Sequence, residues 1–363
     1  MYRFTQINHE NVIKFTVLHR LKEKLVYFNL YNYCPKLNFR VNSQYTIFKA
    51  CHKIRLVMQK ISIISVLFCL AVITSTAQPP KLPLYSINHI QLPSDMNKQV
   101  CISGLKYMDG KLFFASERCP MVIAAEPETG SILNKIMLSV PQNFEMEGMT
   151  SFENKLYLVS ENIAAIYEVN PQTGALNQVE TSMTLPPKSK NGDGMEGIAA
   201  NEVNNKFYLL RERNEERTQT EIYTFAIERK ESRATPYLKY ESMITLPLEN
   251  PQWRYSDICF DKDNSRLLCL KSYSKGKLRQ QYLESIDINS SGELVRESLK
   301  NIPVDKFSEI SNEYKDQDYS MNLEGITIDE KGNIFIVSDN TSGKAQCDLP
   351  AKEKTILLEL KKQ

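Results

Sequence analysis

Acidic residues recur at matching places along the chain, at spacings that suggest one shared site. Glu147, Glu196 and Glu324 each precede a glycine and a short apolar run, in MEGMT, MEGIA and LEGIT. Two weaker copies, ISGLK and YSDIC, place Ser103 and Asp257 at the corresponding positions. Successive positions are 44, 49, 61 and 67 residues apart. Periods of this size are typical of propeller blades and other repeat architectures.

A second set of acidic residues follows the next apolar run of each repeat. If the two runs form an antiparallel hairpin, the start of the first and the end of the second lie at the same end. In a propeller the first run lines the central channel, so both sets should meet at one channel mouth. The second set is Glu117, Glu161, Glu212 and Asp339, with Arg118, Arg211, Arg213 and Lys271 interspersed.

Carboxylates gathered at one mouth repel one another unless a cation or basic side chains offset their charge. Ca²⁺ suits such a place because it takes several oxygen ligands in flexible geometry. We therefore predict a Ca²⁺ site formed by Glu147, Glu196, Asp257 and Glu324. The neighbouring positions would bind a small-molecule or peptide ligand, since arginine can hold an anionic group bidentately. These positions are Arg118, Glu161, Arg211, Glu212 and Asp339.

The repeated Glu-Gly pair also has a structural interpretation. The glutamate could accept backbone N–H bonds from the neighbouring blade, and the glycine could permit close approach of two strands. A feature present in every repeat often serves the repeat itself. Both interpretations of the glutamates stay open at this level.

Each repeat contains four short strand-like runs, the first two joined by turns such as Asp109-Gly110, which predict a hairpin. The fourth run ends in an apolar residue followed by proline, but the last repeat lacks this run. Residues 85–93, YSINHIQLP, carry the same ending before the first repeat. An N-terminal strand that completes the last blade would close the ring and remove exposed edges. We predict an all-β protein, a five-bladed β-propeller, with a sixth divergent blade in the long spacers, such as residues 305–320, as the alternative.

Charge divides the chain into two parts. Residues 1–77 carry 11 Lys and Arg against two Asp and Glu, whereas residues 78–363 carry 34 against 41. Residues 58–77 have a basic start, an apolar segment and a small-x-small ending, which predict a secretory signal peptide cleaved near Ala77. Residues 1–57 are interpreted as a start-site artefact or an unstructured extension, and residues 78–363 as one propeller domain. We therefore expect a periplasmic or secreted protein with no membrane span after cleavage.

Several function classes are poorly supported by this composition. His89 is the only histidine after residue 77, which argues against histidine phosphatases, Ser-His-Asp hydrolases and His-based zinc enzymes. The acidic balance of residues 78–363 argues against nucleic-acid binding. Nothing in the sequence predicts association, so a monomer is expected.

Five cysteines follow residue 77, so at least one has no partner within this part of the chain. Across the predicted Asp109-Gly110 hairpin, Cys101 lies next to Cys119, and a disulfide between them is geometrically reasonable. The alternative is two thiols. Cys259 and Cys269 fall inside apolar runs and are expected in the core.

The five motifs in register resemble the SdiA-regulated, YjiK-like propeller family over residues 95–361. The segment NLEGITID with GNIFIVSDN also resembles the group known for the esterase-like activity of phytase. The resemblance implies an extracytoplasmic β-propeller, with calcium binding and phosphoester hydrolysis as candidate activities. Its motif covers Glu147, Glu196 and Glu324, while Ser103 and Asp257 depart from it.

Three functions follow as hypotheses. The first is an exported module that binds Ca²⁺ and a small or peptide ligand without chemistry. The second is a metal-dependent phosphoric-ester hydrolase, which would need a basic face or several metals to hold a polyanionic substrate. The third is a scaffold in an envelope complex, which fold alone cannot exclude. The acidic balance favours the first.

Overall fold

The computed structural model describes residues 85–97, 101–117, 119–229, 233, 235–314, 317–340, 351 and 353–363. The predicted signal peptide, residues 1–57 and Arg118 lie outside these residues. The described chain is built from β-strands, with only short helical segments between them. These segments are α1 (Ser94–Asn97), α2 (Ile310–Tyr314) and a 3-10 turn (Phe307–Glu309).

Twenty strands follow one another mostly as antiparallel hairpins, as the repeated apolar runs predict. The first ten are β1 (Tyr85–Ile90), β2 (Ile102–Met108), β3 (Lys111–Ser116), β4 (Met121–Ala125), β5 (Ile132–Met137), β6 (Met146–Phe152), β7 (Lys155–Ser160), β8 (Ala165–Val169), β9 (Leu176–Thr181) and β10 (Met195–Asn201). The others are β11 (Lys206–Arg211), β12 (Gln219–Glu228), β13 (Tyr237–Pro247), β14 (Trp253–Asp261), β15 (Arg266–Lys275), β16 (Leu278–Ile288), β17 (Leu294–Asn301), β18 (Asn322–Ile328), β19 (Ile334–Asp339) and β20 (Leu357–Lys362).

The strands of the described residues form three four-stranded sheets and one eight-stranded sheet. Two four-stranded sheets run in chain order, β2 to β5 and β14 to β17. The eight-stranded sheet joins two antiparallel groups, β6 to β9 and β10 to β13, through a short parallel pairing of β9 with β13. The spacer 305–320 contributes α2 and the 3-10 turn, and its described residues form no strand of these sheets.

The remaining sheet contains both ends of the described chain. Its order is β1-β20-β19-β18, and β1 pairs antiparallel with β20 along its whole length. The predicted closure of the last repeat by the N-terminal strand is therefore confirmed. This closure covers an edge of the C-terminal hairpin that would otherwise expose unpaired backbone groups.

Hydrophobic packing connects the sheets in a cycle. One cluster, centred on Leu158 and Ile136, lies between β2–β5 and β6–β9. Equivalent clusters lie at each following boundary, and the last one packs Leu105 against Phe335, between β2 and β19. The innermost strands β2, β6, β10, β14 and β18 contact one another in the same cyclic order. This arrangement is all-β and propeller-like, with the inner strands around a central axis.

Candidate functional site

A β-bulge sets the direction of the repeated acidic side chains. In β10, Met195 pairs with Arg211 while Gly197 pairs with Leu210, so Glu196 is the extra residue. The other four inner strands show a register shift at the same place relative to their partners. A bulge turns a side chain away from its regular alternation and ends local pairing. It therefore points these residues toward the end of the channel.

The glycine after the bulge permits close approach of neighbouring inner strands. A Cβ atom at Gly148 would lie 2.6 Å from the carbonyl oxygen of Glu196, and one at Gly104 would lie 2.4 Å from that of Glu147. Real Cβ atoms do not approach backbone atoms so closely, so only glycine fits here. The glycine of the motif thus has a structural role in the ring of inner strands.

In β14 the bulge lies one residue earlier than the comparison of the repeats predicts. Tyr255 pairs with Lys271 and Asp257 with Leu270, so Ser256 occupies the bulge and Asp257 stands where the other strands have glycine. The Oδ1 atom of Asp257 accepts its neighbour Ile258 N–H at 2.8 Å, and Oδ2 accepts the N–H of Ile326 at 2.9 Å. Burial raises the pKa of this carboxyl well above its usual value. Asp257 therefore binds backbone groups, and the serine takes the position aligned with the glutamates.

The bulged glutamates open into a cavity of 370 Å³ at one mouth of the channel. Of the described residues, nine acids and four bases line it. The acids are Glu117, Glu145, Glu147, Glu161, Asp193, Glu196, Glu212, Glu324 and Asp339. The basic residues are Lys188, Arg213, Arg217 and Arg254, and Asn191 and Gly192 complete the lining.

Arg254 neutralises one side of this cavity. Its Nη1 atom donates to Glu212 Oε1 and its Nη2 atom to Glu324 Oε1, both at 2.7 Å, and Nη2 also donates to Asn322 at 2.6 Å. Burial lowers the pKa of Arg254, but Glu212, Glu324 and Glu196 together raise it well above its usual value. The guanidinium is thus committed to carboxylates of the protein itself.

Three further basic residues are paired in the same way. Asp193 accepts from Arg213 Nε at 2.8 Å and from Arg217 Nε at 2.7 Å. Lys188 donates to Glu145 at 3.1 Å and to Glu161 at shorter range. Oε1 of Glu161 is buried and has no hydrogen-bond partner among the described residues.

The opposite side of the cavity brings carboxylates close together. Carboxylate oxygens of Glu117, Glu145 and Glu147 all lie within 4.8 Å of one another. Burial raises the pKa of Glu147 well above its usual value, and the charges of Glu196 and Glu117 raise it further. Burial, followed by Glu212 and Glu161, does the same to the pKa of Glu196. Neither Glu147 nor Glu196 hydrogen-bonds through its carboxylate within the described chain, so both could serve as cation ligands.

Two more glutamates of the cavity have pKa values near neutral pH. Burial raises the pKa of Glu161 to about 7, although Lys188 opposes the shift. Burial also raises the pKa of Glu324 to about 7, against the lowering effect of Arg254. Among the described lining residues acids outnumber bases by nine to four, and either protons or a metal cation would reduce the repulsion between their carboxylates.

The structure brings together most of the residues that the sequence suggested. Glu147, Glu196 and Glu324 lie in the cavity, as do Glu117, Glu161, Glu212, Asp339 and Arg213. Three predicted residues do not line the cavity. Asp257 binds backbone N–H groups, Arg211 donates to Glu221 at 3.2 Å, and Lys271 pairs with Glu249 and Glu284. Arg118 lies outside the described residues.

Sequence reasoning missed five charged lining residues of the mouth, namely Glu145, Lys188, Asp193, Arg217 and Arg254. Glu145 had a usable signal, because it stands two residues before Glu147. The N–H of Glu161 bonds to the carbonyl oxygen of Glu145 at 3.1 Å, which continues the β6–β7 ladder toward the mouth. The other four come from connecting segments or, for Arg254, the start of β14.

Neither alternative considered for Cys101 and Cys119, a disulfide between them or two thiols, is found. Cys119 is disulfide-bonded, whereas Cys101, Cys259 and Cys269 are buried thiols. Cys119 therefore pairs with none of the other cysteines in the described part of the chain. Cys259 and Cys269 lie in hydrophobic clusters, as their apolar context predicted.

The sheet order, the cyclic core and the bulged inner strands define a β-propeller-like protein. The chain belongs to the SdiA-regulated family, whose model matches residues 88–341. This membership confirms the resemblance of the motifs to the SdiA-regulated family. No curated protein sequence matches the chain. Within the described residues, no helix has the length and apolar character needed to cross a membrane.

Solved structures show distant likeness to the chain. The glutaminyl cyclase of Myxococcus xanthus is 13% identical, with a TM-score of 0.43, covering 77% of this chain and 97% of that one. The PQQ-bound aldose sugar dehydrogenase of Streptomyces coelicolor is 12% identical, with a TM-score of 0.42, covering 78% and 100%. A GH32 beta-fructofuranosidase of Bombyx mori is 11% identical, with a TM-score of 0.43, covering 83% and 67%. Similarity at this level carries no information about activity.

Proposed function

We propose that the protein is an exported five-bladed β-propeller that binds Ca²⁺ and a small or peptide ligand at its acidic channel mouth, without catalysing a reaction. The observation that carries the proposal is the pair of buried carboxylates of Glu147 and Glu196, which face the cavity and make no hydrogen bond within the described chain. A metal ion would supply positive charge beside them.

Five blades are supported by the cycle of inner strands. In the eight-stranded sheet, β9 and β13 are outer strands that meet over only two residue pairs, Tyr237 with Glu180 and Leu238 with Thr181. A hydrophobic cluster separates the two halves of that sheet, as at every other boundary. We therefore count β6–β9 and β10–β13 as two blades.

Ca²⁺ is favoured by the geometry of the oxygen atoms. Glu117, Glu145 and Glu147 offer three carboxylates within 4.8 Å of one another, and Glu196 and Glu161 line the same cavity. Ca²⁺ accepts six to eight oxygen ligands at about 2.3–2.6 Å and tolerates irregular geometry. The site offers no imidazole or thiolate among its described lining residues, which disfavours zinc.

The ligand is expected to be neutral or cationic, or to reach the metal through a single carboxylate. Every basic side chain of the cavity already pairs with an acid of the protein. A polyphosphorylated substrate would have to displace these pairs and would meet nine acidic residues. The phosphoric-ester hydrolase and the scaffold are therefore weaker proposals than binding.

Export is supported by the signal-peptide pattern of residues 58–77. The disulfide at Cys119 fits the same location, because disulfides persist in oxidising compartments outside the cytosol. Periplasmic retention and secretion are equally compatible with both observations.

Thermal unfolding with and without Ca²⁺ tests the proposal. A ligand that binds only the folded state raises its stability, by about 2.7 kcal/mol at a concentration one hundred times its Kd. We expect Ca²⁺, but not Mg²⁺ at the same concentration, to raise the Tm. Glu147→Gln should abolish the shift. Glu128 is an exposed acid in the turn between β4 and β5, and Glu128→Gln should leave the shift unchanged. Equal Tm values with Ca²⁺ and with a chelator would refute the metal site.

A second assay separates binding from hydrolysis. The protein is incubated with phytate and with a simple phosphomonoester in the presence of Ca²⁺. We expect no phosphate release above that of the Glu147→Gln variant. Release that depends on Ca²⁺ and disappears in this variant at unchanged folding would show that the protein is an enzyme.

A further inference from the structure

A second cavity lies at the other end of the channel. Its volume is 440 Å³, within the range of small-molecule pockets. It is formed where the inner strands turn into the second strands, so it lies at the opposite end of these strands from the acidic mouth. Its lining includes Met108, Ser151, Ala200, Phe260 and Ile328, one from each inner strand.

Lys106 provides the positive charge of this cavity from within the channel. It stands two residues before the end of β2, further from its strand end than any other lining residue of the inner strands. Its side chain makes no hydrogen bond or ion pair in the described part of the chain. Burial lowers the pKa of Lys106, while Cys259, Glu202 and Asp257 oppose the shift. Lys106 is half-buried. A partly desolvated amine that lacks an ion pair is costly, and an anionic group would stabilise it.

The walls and the rim of the cavity differ from its interior. Tyr107, Phe260 and Ile328 are partly buried and present apolar surface to the cavity. At the rim the exposed charged residues are mainly acidic, with one lysine among them. They are Asp109, Glu202, Lys262, Asp263 and Glu330.

We propose that this cavity binds a small zwitterion, an amino acid with an apolar side chain. Its carboxylate would pair with Lys106, its side chain would contact Phe260 and Ile328, and its ammonium group would face the acidic rim. A simple anion would have to pass the acids at the rim, and a simple cation would meet the amine in the interior. An amino acid can pair with both kinds of residue, because it carries a carboxylate for the amine and an ammonium group for the acids on the same carbon atom.

The two proposed sites can fail independently, since they use different residues at opposite ends of the inner strands. The amino-acid site does not require Ca²⁺, and the cation site does not require Lys106. Changes at one mouth should therefore leave binding at the other mouth unchanged.

Isothermal titration calorimetry with L-leucine and L-phenylalanine tests the proposal on the full-length protein. Two analogues of leucine isolate the charged groups: leucinamide lacks the carboxylate, and 4-methylpentanoate lacks the ammonium group. We expect both analogues to bind at least about tenfold more weakly than leucine, because each loses a charge-assisted contact. Absence of leucine binding at millimolar concentration, or equal binding of 4-methylpentanoate, would overturn the proposal.

Lys106→Met should weaken leucine binding at least about tenfold while keeping the Ca²⁺-dependent Tm shift. A rim variant provides a second test if Lys106→Met does not fold. Asp109→Asn with Asp263→Asn removes two exposed charges, and asparagine is well tolerated at the positive φ of Asp109. This double variant should bind leucine more weakly but 4-methylpentanoate no more weakly. Unchanged leucine affinity in the rim variant would refute the role of the rim, and with it the zwitterion.

Discussion

Oδ2 of Asp257 accepts the backbone N–H of Ile326 at 2.9 Å, and this bond links inner strand β14 to inner strand β18. The side chain of Asp257 is fully buried. It occupies the place that glycine holds in the other inner strands, where two backbones approach each other directly. In β14 a carboxylate thus fills the gap and bonds to the neighbouring backbone.

Asp257→Ala should destabilise the fold by about 3 kcal/mol, because it leaves buried N–H groups without an acceptor. Chemical unfolding measures the change, with the exposed Asp263→Ala as a control that should stay within about 0.5 kcal/mol of the native protein. The Ca²⁺-dependent Tm shift should persist in Asp257→Ala. Loss of that shift in a folded variant would return Asp257 to the set of cation ligands.

Gly148→Ala should destabilise the protein by at least about 2 kcal/mol, since the new Cβ atom would lie 2.6 Å from the carbonyl oxygen of Glu196. Gly276→Ala is the comparison, because a Cβ atom there meets open space and only the positive φ of 59° is strained. It should cost about 1 kcal/mol. Urea unfolding of both variants checks the order, and an equal or smaller loss for Gly148→Ala would contradict the close approach of β6 and β10.

Stability in the presence of a chelator should fall as pH rises from 5 to 8. The pKa values of Glu161 and Glu324 are raised to about 7, so between their usual value and 7 the folded protein binds more protons than the unfolded chain. Stability from such groups is present below the unfolded pKa and is lost as pH rises through the folded pKa. Each contributes a slope of up to about 1.4 kcal/mol per pH unit.

A Glu161 variant and added Ca²⁺ distinguish the titration of these two glutamates from the titration of other groups in the protein. Glu161→Gln should reduce the pH slope of the unfolding free energy, while Glu128→Gln should not change it. Saturating Ca²⁺ should also flatten the profile, because a bound cation offsets the same charges that protons neutralise. A profile that rises from pH 5 to 8 would show that these carboxylates are stabilised in their ionised form.

Much of the fold was predictable because each repeat carries its own local signals. Asp109 and Gly110 have positive φ angles of 50° and 72°, as a two-residue hairpin turn between β2 and β3 requires. The short apolar runs between turn residues identified the strands. The Leu92-Pro93 ending, shared with the fourth runs of the repeats, indicated that β1 completes the C-terminal sheet.

The candidate site was harder to predict, for two physical reasons. A bulge shifts the register by one residue, and in YSDIC the sequence does not show whether Ser256 or Asp257 is the extra one. In addition, Lys188, Asp193 and Arg217 lie in segments between strands, whose path across the mouth no repeat pattern specifies. The sequence therefore predicted the acids of the repeats but not the basic residues that partly neutralise them.

Arg254→Met should destabilise the protein by about 3 kcal/mol, because it leaves the buried carboxylates of Glu212 and Glu324 without their shared cation. Methionine fills much of the space of the arginine side chain but has no hydrogen-bond donor. Added Ca²⁺ should recover part of the lost stability, so the Ca²⁺-dependent Tm shift should be larger in this variant than in the native protein. Thermal unfolding with and without Ca²⁺ measures both effects.

Arg296→Met is the control. It removes an exposed arginine and should change neither stability nor the Ca²⁺ response beyond about 0.5 kcal/mol. A Ca²⁺ shift that is smaller in Arg254→Met than in the native protein would show that the arginine positions the cation ligands and does not compete with the cation for their charge.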